Sequence, residues 1–170
     1  MQNIEIKAVC EDLRTARRIA RSLATETLGR FRQRDTYFHG RNGLLKLRET
    51  PHRPGELISY QRPKIASAKR SDYCITRVER PAELRKTLAD ALGILVVVEK
   101  VRDVFLWKNV RIHLDQVRHL GMYLEFEAVL RRPSQAASGH RWVAHLIEVF
   151  GISPQQLIRV SYADLLRKKG

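Results

Sequence analysis

The chain has 170 residues, 44% of them apolar, with nine glycines and six prolines, which is enough for one domain with a sizeable core and cramped for two. Thirty-two Lys and Arg against eighteen Asp and Glu give a formal charge of +14, which favours anionic partners and excludes indifference to salt. No stretch is apolar for long enough to span a bilayer, and the opening MQNIEIKAVCEDLRTARR is charged where a signal peptide carries its apolar run, so the expectation is a soluble cytoplasmic protein without a membrane partner.

In chain order, Asn3-Ile4-Glu5-Ile6-Lys7-Ala8 alternates polar and apolar and predicts a strand with Asn3, Glu5 and Lys7 on one face. Asp12 is placed to cap a helix whose apolar stripe is Leu13, Ala16, Ile19, Ala20 and Leu23. After Gly29, Phe31 to Phe38 reads as extended, and Leu44 to Glu49 returns as the second arm of a hairpin. Glu56 to Arg62 is a short strand ending at Pro63; a basic loop, Lys64 to Arg70, leads to another strand at Tyr73 to Val78. Pro81 opens a helix carrying Leu84, Leu88 and Leu92, and Gly93 stops it. Strands then resume at Ile94 to Val104, Val104 to His113 and Met122 to Leu130. A helix with Val143, Leu146, Ile147 and Phe150 follows, and Ser153-Pro154-Gln155-Gln156 opens a terminal helical piece. The order is α+β, about eight strands with four helical segments, as a single domain over residues 1–170.

Several strands are charged on one face and apolar on the other. Lys46 and Arg48 oppose Leu45 and Leu47; Glu125 and Glu127 oppose Leu124 and Phe126; Arg111, His113 and Asp115 oppose Ile112 and Leu114; Lys100 shares a face with Arg102, and Tyr60 with Arg62. Such strands build either an ordinary sheet with a wet charged face, or a curled one whose charged face lines a channel for a highly charged ligand. Glu125 and Glu127, two residues apart, can reach one ion, with Glu5 and Asp115 as further oxygen donors; Mg²⁺ or Mn²⁺ suits such ligands together with phosphates. His113 reads as a polar lining group, because no second histidine has zinc spacing, and Cys10 and Cys74 read as core thiols. The net charge alone suggests nucleic acid, but no zinc finger, recognition helix or aromatic RNP pair accompanies it, so that partner is possible rather than favoured.

Taken together, NIEIKA at 3–8, QRDTYF at 33–38, GLLKLRE at 43–49, ELISYQRP at 56–63, KRSDY at 69–73, VEKVR at 98–102, VRIHLDQVRHLGMYLEFE at 110–127 and SYADLL at 161–166 resemble the CYTH, or triphosphate-tunnel, superfamily. Within it, they are similar to class IV adenylate cyclase-like proteins. The resemblance implies a closed antiparallel eight-stranded β-tunnel, a barrel with helices packed outside. It implies that Glu5 and Lys7 are the second acid and the lysine of an opening ExExK motif, and that Glu125 and Glu127 are a metal-binding pair. Lys46, Arg48, Arg62, Lys100, Arg102 and Arg111 become phosphate-facing groups, and Asp115 an acid that organises metal or attack; Lys7, Asp115 and Arg111 are the candidates nearest the chemistry. Asn3 departs from the pattern, standing where the first acid would be, and offers a carbonyl oxygen without the charge.

Three functions follow from that resemblance: cyclisation of ATP to cyclic AMP and pyrophosphate, hydrolysis of an inorganic or organic triphosphate, or binding of polyphosphate, nucleotide or RNA without turnover. Tyr37, Phe38, Tyr60 and Tyr73 are candidate contacts for a base. Oligomeric state is open at this level.

Overall fold

The computed structural model describes residues 2–40, 43–61, 72–130, 132 and 135–169. Eight strands, β1 (Gln2–Val9), β2 (Glu26–Phe38), β3 (Leu44–Glu49), β4 (Gly55–Gln61), β5 (Asp72–Val78), β6 (Ile94–Trp107), β7 (Val110–Val117) and β8 (Gly121–Leu130), form one antiparallel sheet in the order β1-β8-β7-β6-β2-β3-β4-β5. Four helices accompany it: α1 (Leu13–Leu23), α2 (Pro81–Leu92), α3 (Ala136–Val149) and α4 (Tyr162–Arg167).

The expected closed barrel is not formed. β1 and β5 are the two ends of the sheet and do not pair. The free edge of β1 is taken instead by the segment before α4: Leu157 bridges Ala8, and the Ile158 N–H donates to the Lys7 carbonyl at 2.8 Å. A strand edge paired in this way is closed to another strand along that stretch. The sheet is nonetheless curled, because side chains from all eight strands line one cavity of about 540 Å³. The result is an open trough.

The apolar residues of β1, β7 and β8 face the other way, and Ile4, Ile112, Leu114, Leu124 and Phe126 form the main core with Val143 and Leu146 of α3 and Ala16 and Ala20 of α1. Asp12 caps α1, its side chain accepting from the backbone N–H of Arg14 and Thr15. A smaller cluster of Tyr37, Val98, Val117, Tyr123, Tyr162 and Ala163 seats α4 at one end of the trough. Two boundaries differ from the sequence reading. β2 begins at Glu26, with Gly29 at φ 117° inside it, because a register shift between Thr27 and Gly29 makes the glycine a bulge and not a break. β6 runs to Trp107, and the turn falls at Lys108 and Asn109, where Lys108 takes a left-handed conformation.

Candidate active site

The strand registers set charged side chains in rows across the trough. Glu5 of β1 lies opposite Glu127 of β8, which lies opposite Arg111 of β7; the next row is Lys7, Glu125 and His113. Arg102 of β6 lies opposite Asp115 of β7, and Asp35 of β2 opposite Arg48 of β3. Alternation does the rest, since residues two apart share a face.

Two carboxylates anchor the basic wall. Asp35, 1% exposed, accepts from Arg48 Nε at 2.8 Å and Nη2 at 2.9 Å, with Lys46 Nζ at 3.3 Å and Lys100 Nζ at 3.5 Å. Burial opposes its charge, but Arg48, Lys46 and Lys100 outweigh that and hold its carboxyl well below the usual range. Asp115, fully buried, accepts from Arg102 Nε and Nη2 at 2.6 Å each and from the Tyr162 hydroxyl at 2.9 Å. Here too burial is overcome by the guanidinium, and the carboxyl is lowered. Lys100 fares differently: burial, with Arg102 adding to it against the pull of Asp35, pushes it down to about 7.

The acidic side of the trough is partly engaged by cations. Glu125 has Lys7 Nζ at 3.5 Å, Arg102 Nη2 at 3.2 Å and His113 Nδ1 at 3.3 Å; burial notwithstanding, Arg102 and Lys7 hold its carboxyl well below the usual range. Lys7 also lies 3.3 Å from Glu5 and 4.4 Å above the Tyr162 ring. Glu127 accepts from Asn3 Nδ2 at 2.6 Å and Arg111 at 3.3 Å, while Asn3 Oδ1 is buried without a hydrogen-bond partner.

A model of the CYTH domain family matches residues 1–162. The chain belongs to the CYTH family. It is 23% identical over 173 residues to a candidate adenylate cyclase of Methanocaldococcus jannaschii, covering 97% of this chain and 98% of that one. Among solved structures it resembles a Pyrococcus horikoshii protein (TM-score 0.84, 19% identity, 97% of this chain and 99% of that one). A candidate adenylate cyclase from Vibrio parahaemolyticus is also similar (TM-score 0.81, 18% identity, 98% of each chain). At these identities the structures speak for the fold.

Within this CYTH fold, Glu5, Lys7, Lys46, Arg48, Lys100, Arg102, Arg111, Glu125 and Glu127 all line the trough, and Asp115 lies beneath it under Arg102. Arg62 and the Tyr60 and Tyr73 side chains lie outside the described residues. Phe38 is buried away from the trough, whereas Tyr37 lines it. Among the described residues no three Asp, Glu, His or Cys side chains converge as a ready metal cage. The donors that fit a hard divalent cation best are Glu5 and Glu127, like charges directly opposite each other, with the orphaned Asn3 oxygen beside them. Asp35 and Tyr162 were given no role by the sequence reading, although each organises one end of the basic wall. The available signal for Asp35 was its place between Gln33 and Tyr37 on the inward face of β2; for Tyr162 no local pattern exists.

Proposed function

We propose that this CYTH protein binds the triphosphate of a nucleotide such as ATP in the trough and, with Mg²⁺ or Mn²⁺, converts it to cyclic AMP and pyrophosphate. The observation that carries the reading is the convergence of Lys46, Arg48, Lys100 and Arg102, drawn from two strands, β3 and β6, and held by buried Asp35 and Asp115, beside an acidic row. Paired guanidiniums fixed before the ligand arrives lose little freedom on binding phosphate oxygens, and their charge is worth more in a recess than in water. Asp35 and Asp115 are positioning residues. Arg111 and Lys7, each already beside a carboxylate, bridge the basic wall to the acidic row and steady the phosphoryl group nearest the sugar.

Glu5 and Glu127, with Asn3 Oδ1, would hold the divalent ion, with Glu125 next to them. When bound, that ion supplies Lewis-acid polarisation of a phosphoryl oxygen. The ribose 3′-oxygen then forms a bond to the α-phosphorus as the bond to pyrophosphate breaks, and the hydroxyl proton passes to His113, whose ring is oriented by Glu125 at 3.3 Å.

One observation favours a second reading, hydrolysis of a triphosphate without regard to its base. The trough aromatics Phe31, Tyr37 and Tyr162 each carry a cation over the ring: Arg53 at 4.3 Å, Lys46 at 5.5 Å and Lys7 at 4.4 Å. That leaves less aromatic surface for adenine. Product analysis separates the two: cyclic AMP with pyrophosphate supports cyclisation, ADP or pyrophosphate with orthophosphate from ATP or inorganic triphosphate supports hydrolysis. Strong metal-dependent binding with neither product set leaves a binding protein.

A further inference from the structure

The trough does not account for the charge of the chain. Among the described residues seven Lys and Arg and five Asp and Glu line it, an excess of two against a net +14 for the whole sequence. A second basic group lies on the opposite face of the same sheet. There β2 presents Arg30, Arg32 and Arg34 outward, at steps of about 6.8 Å expected for alternate residues of a strand. β6 lies alongside, with Arg30 opposite Asp103, Arg32 opposite Val101 and Arg34 opposite Glu99. Arg118 completes the group across β6.

Arg32 and Arg34 of this row, with Arg118, border a groove of about 880 Å³ bounded by α2 through Pro81 and by the β3–β4 turn through Pro51 and His52. Arg34 and Arg118 share one carboxylate, Glu99, at 2.7 and 2.6 Å, so the trio retains a positive charge and unused N–H donors. Their side chains are 44% and 67% exposed, and Arg32 is exposed with no acidic partner among the described residues. Beyond Arg30, α1 adds the exposed Arg14, Arg18 and Arg21 and contains no acid. Between the guanidiniums the groove carries apolar surface from Val101, Pro51 and Pro81, with Glu49, Thr50 and Gln116 beside it.

We propose that this outer groove binds a single-stranded nucleic acid. The arginine row takes successive backbone phosphates, and the proline and valine surfaces, together with guanidinium planes, take the faces of sugars and bases. An inorganic polyphosphate would use the row and leave the apolar floor idle. The groove crosses the width of only a few strands, which suits one extended chain. Arg32 and Arg34 alternate along β2 with Gln33 and Asp35, and the groove adjoins the trough at a shared rim of Gln33, Thr50, Arg53 and Lys100.

The test is fluorescence anisotropy with a short labelled oligouridylate, the matching DNA and a duplex, across about 50 to 200 mM salt. Wild-type protein is compared with Arg32→Gln/Arg34→Gln/Arg118→Gln and, in case removing the Glu99 partners unfolds the chain, with Arg32→Gln alone, which breaks no ion pair. Removing three phosphate contacts should reduce the slope of log affinity on log salt by about two units, and one contact by about 0.7. Tripolyphosphate, added at constant ionic strength, should displace nothing. Equal affinity for DNA assigns the contacts to phosphodiester and base; a preference for RNA adds the 2′-hydroxyl. Wild-type affinity in both variants, displacement by tripolyphosphate, tighter binding of the duplex, or equal competition by polyglutamate would each overturn the proposal. None of these outcomes bears on turnover in the trough, so the two readings fail separately.

Discussion

Lys100 is a residue whose charge depends on the trough around it. Burial, with Arg102 and Arg48 beside it and against the pull of Asp35 and Asp115, brings it down to about 7 from an ordinary 10.5. The unfolded chain therefore holds a proton that the folded chain has released between those values, and this lysine makes folding more favourable as pH rises through that window. An anion in the trough reverses the local balance by favouring the charged form. Tripolyphosphate binding above pH 7 should then take up a proton, and affinity should fall as pH rises. Calorimetry in two buffers of different ionisation enthalpy checks this: Lys100→Met should abolish the uptake, and a wild-type protein showing none would remove the argument. Asp35 is the opposite case. Asp35→Asn strands Arg48, Lys46 and Lys100 without their shared carboxylate, a loss expected to cost about 3–5 kcal/mol in urea denaturation at neutral pH. Because its carboxyl is lowered in the fold, that stabilisation is present above the ordinary carboxylate range and is lost as pH falls through the folded value, so wild type and variant should converge in acid. Strand alternation was enough to put Arg48, Lys100 and Arg102 on the correct face, since it depends only on local geometry. It could not say that Asp35 ties Arg48 and Lys100 to Lys46, because that depends on strands far apart in sequence meeting in one register.

At the scale of elements, α3 packs closely on the sheet. A Cβ on Gly139 would meet Ile4 Cδ1 at 2.9 Å and Leu130 Cδ2 at 3.1 Å, so the helix rests directly on β1 and β8, behind the acidic row. Gly139→Leu should lift α3 and destabilise the fold by about 1–3 kcal/mol, read from chemical denaturation. Metal-supported binding should weaken with it, through displaced Glu5 and Glu127. An unchanged midpoint would show that α3 has room to shift. Helix limits were largely legible because caps are local: Asp12 accepts from two backbone N–H groups, Pro81 starts α2 and Gly93 follows its end. Strand limits were less so. A glycine marks a break and a bulge with the same letter, and only the pairing of β2 with β6 distinguishes them. The β6–β7 turn was displaced for a related reason. β6 continues as alternating apolar residues to Trp107, and Lys108 enters the left-handed region without the glycine that usually announces it.

For the whole molecule, the fate of the sheet edges sets its form. Eight strands with charged inner faces are compatible with a barrel or with an open trough, and periodicity is identical in the two. A long-range contact marks the difference: at its Lys7–Ala8 end the edge of β1 is paired by the segment ahead of α4, through the Ile158 N–H bond to Lys7 and the Leu157 bridge to Ala8. The same segment leads into Tyr162, so edge protection and the basic wall are joined by a few residues. Ile158→Pro removes the N–H and leaves the Lys7 carbonyl without its donor, with an expected loss of about 1–3 kcal/mol in urea denaturation. It should also loosen the Tyr162 contact to Asp115 and so weaken tripolyphosphate binding by freeing Arg102. Because the newly bare β1 edge has unpaired backbone groups, the variant should self-associate as concentration rises, measured by light scattering after size exclusion. Ile158→Ala keeps the N–H while removing most of the side chain, and should keep the wild-type mass and affinity. If both variants behave alike, the side chain and not the backbone bond holds the segment.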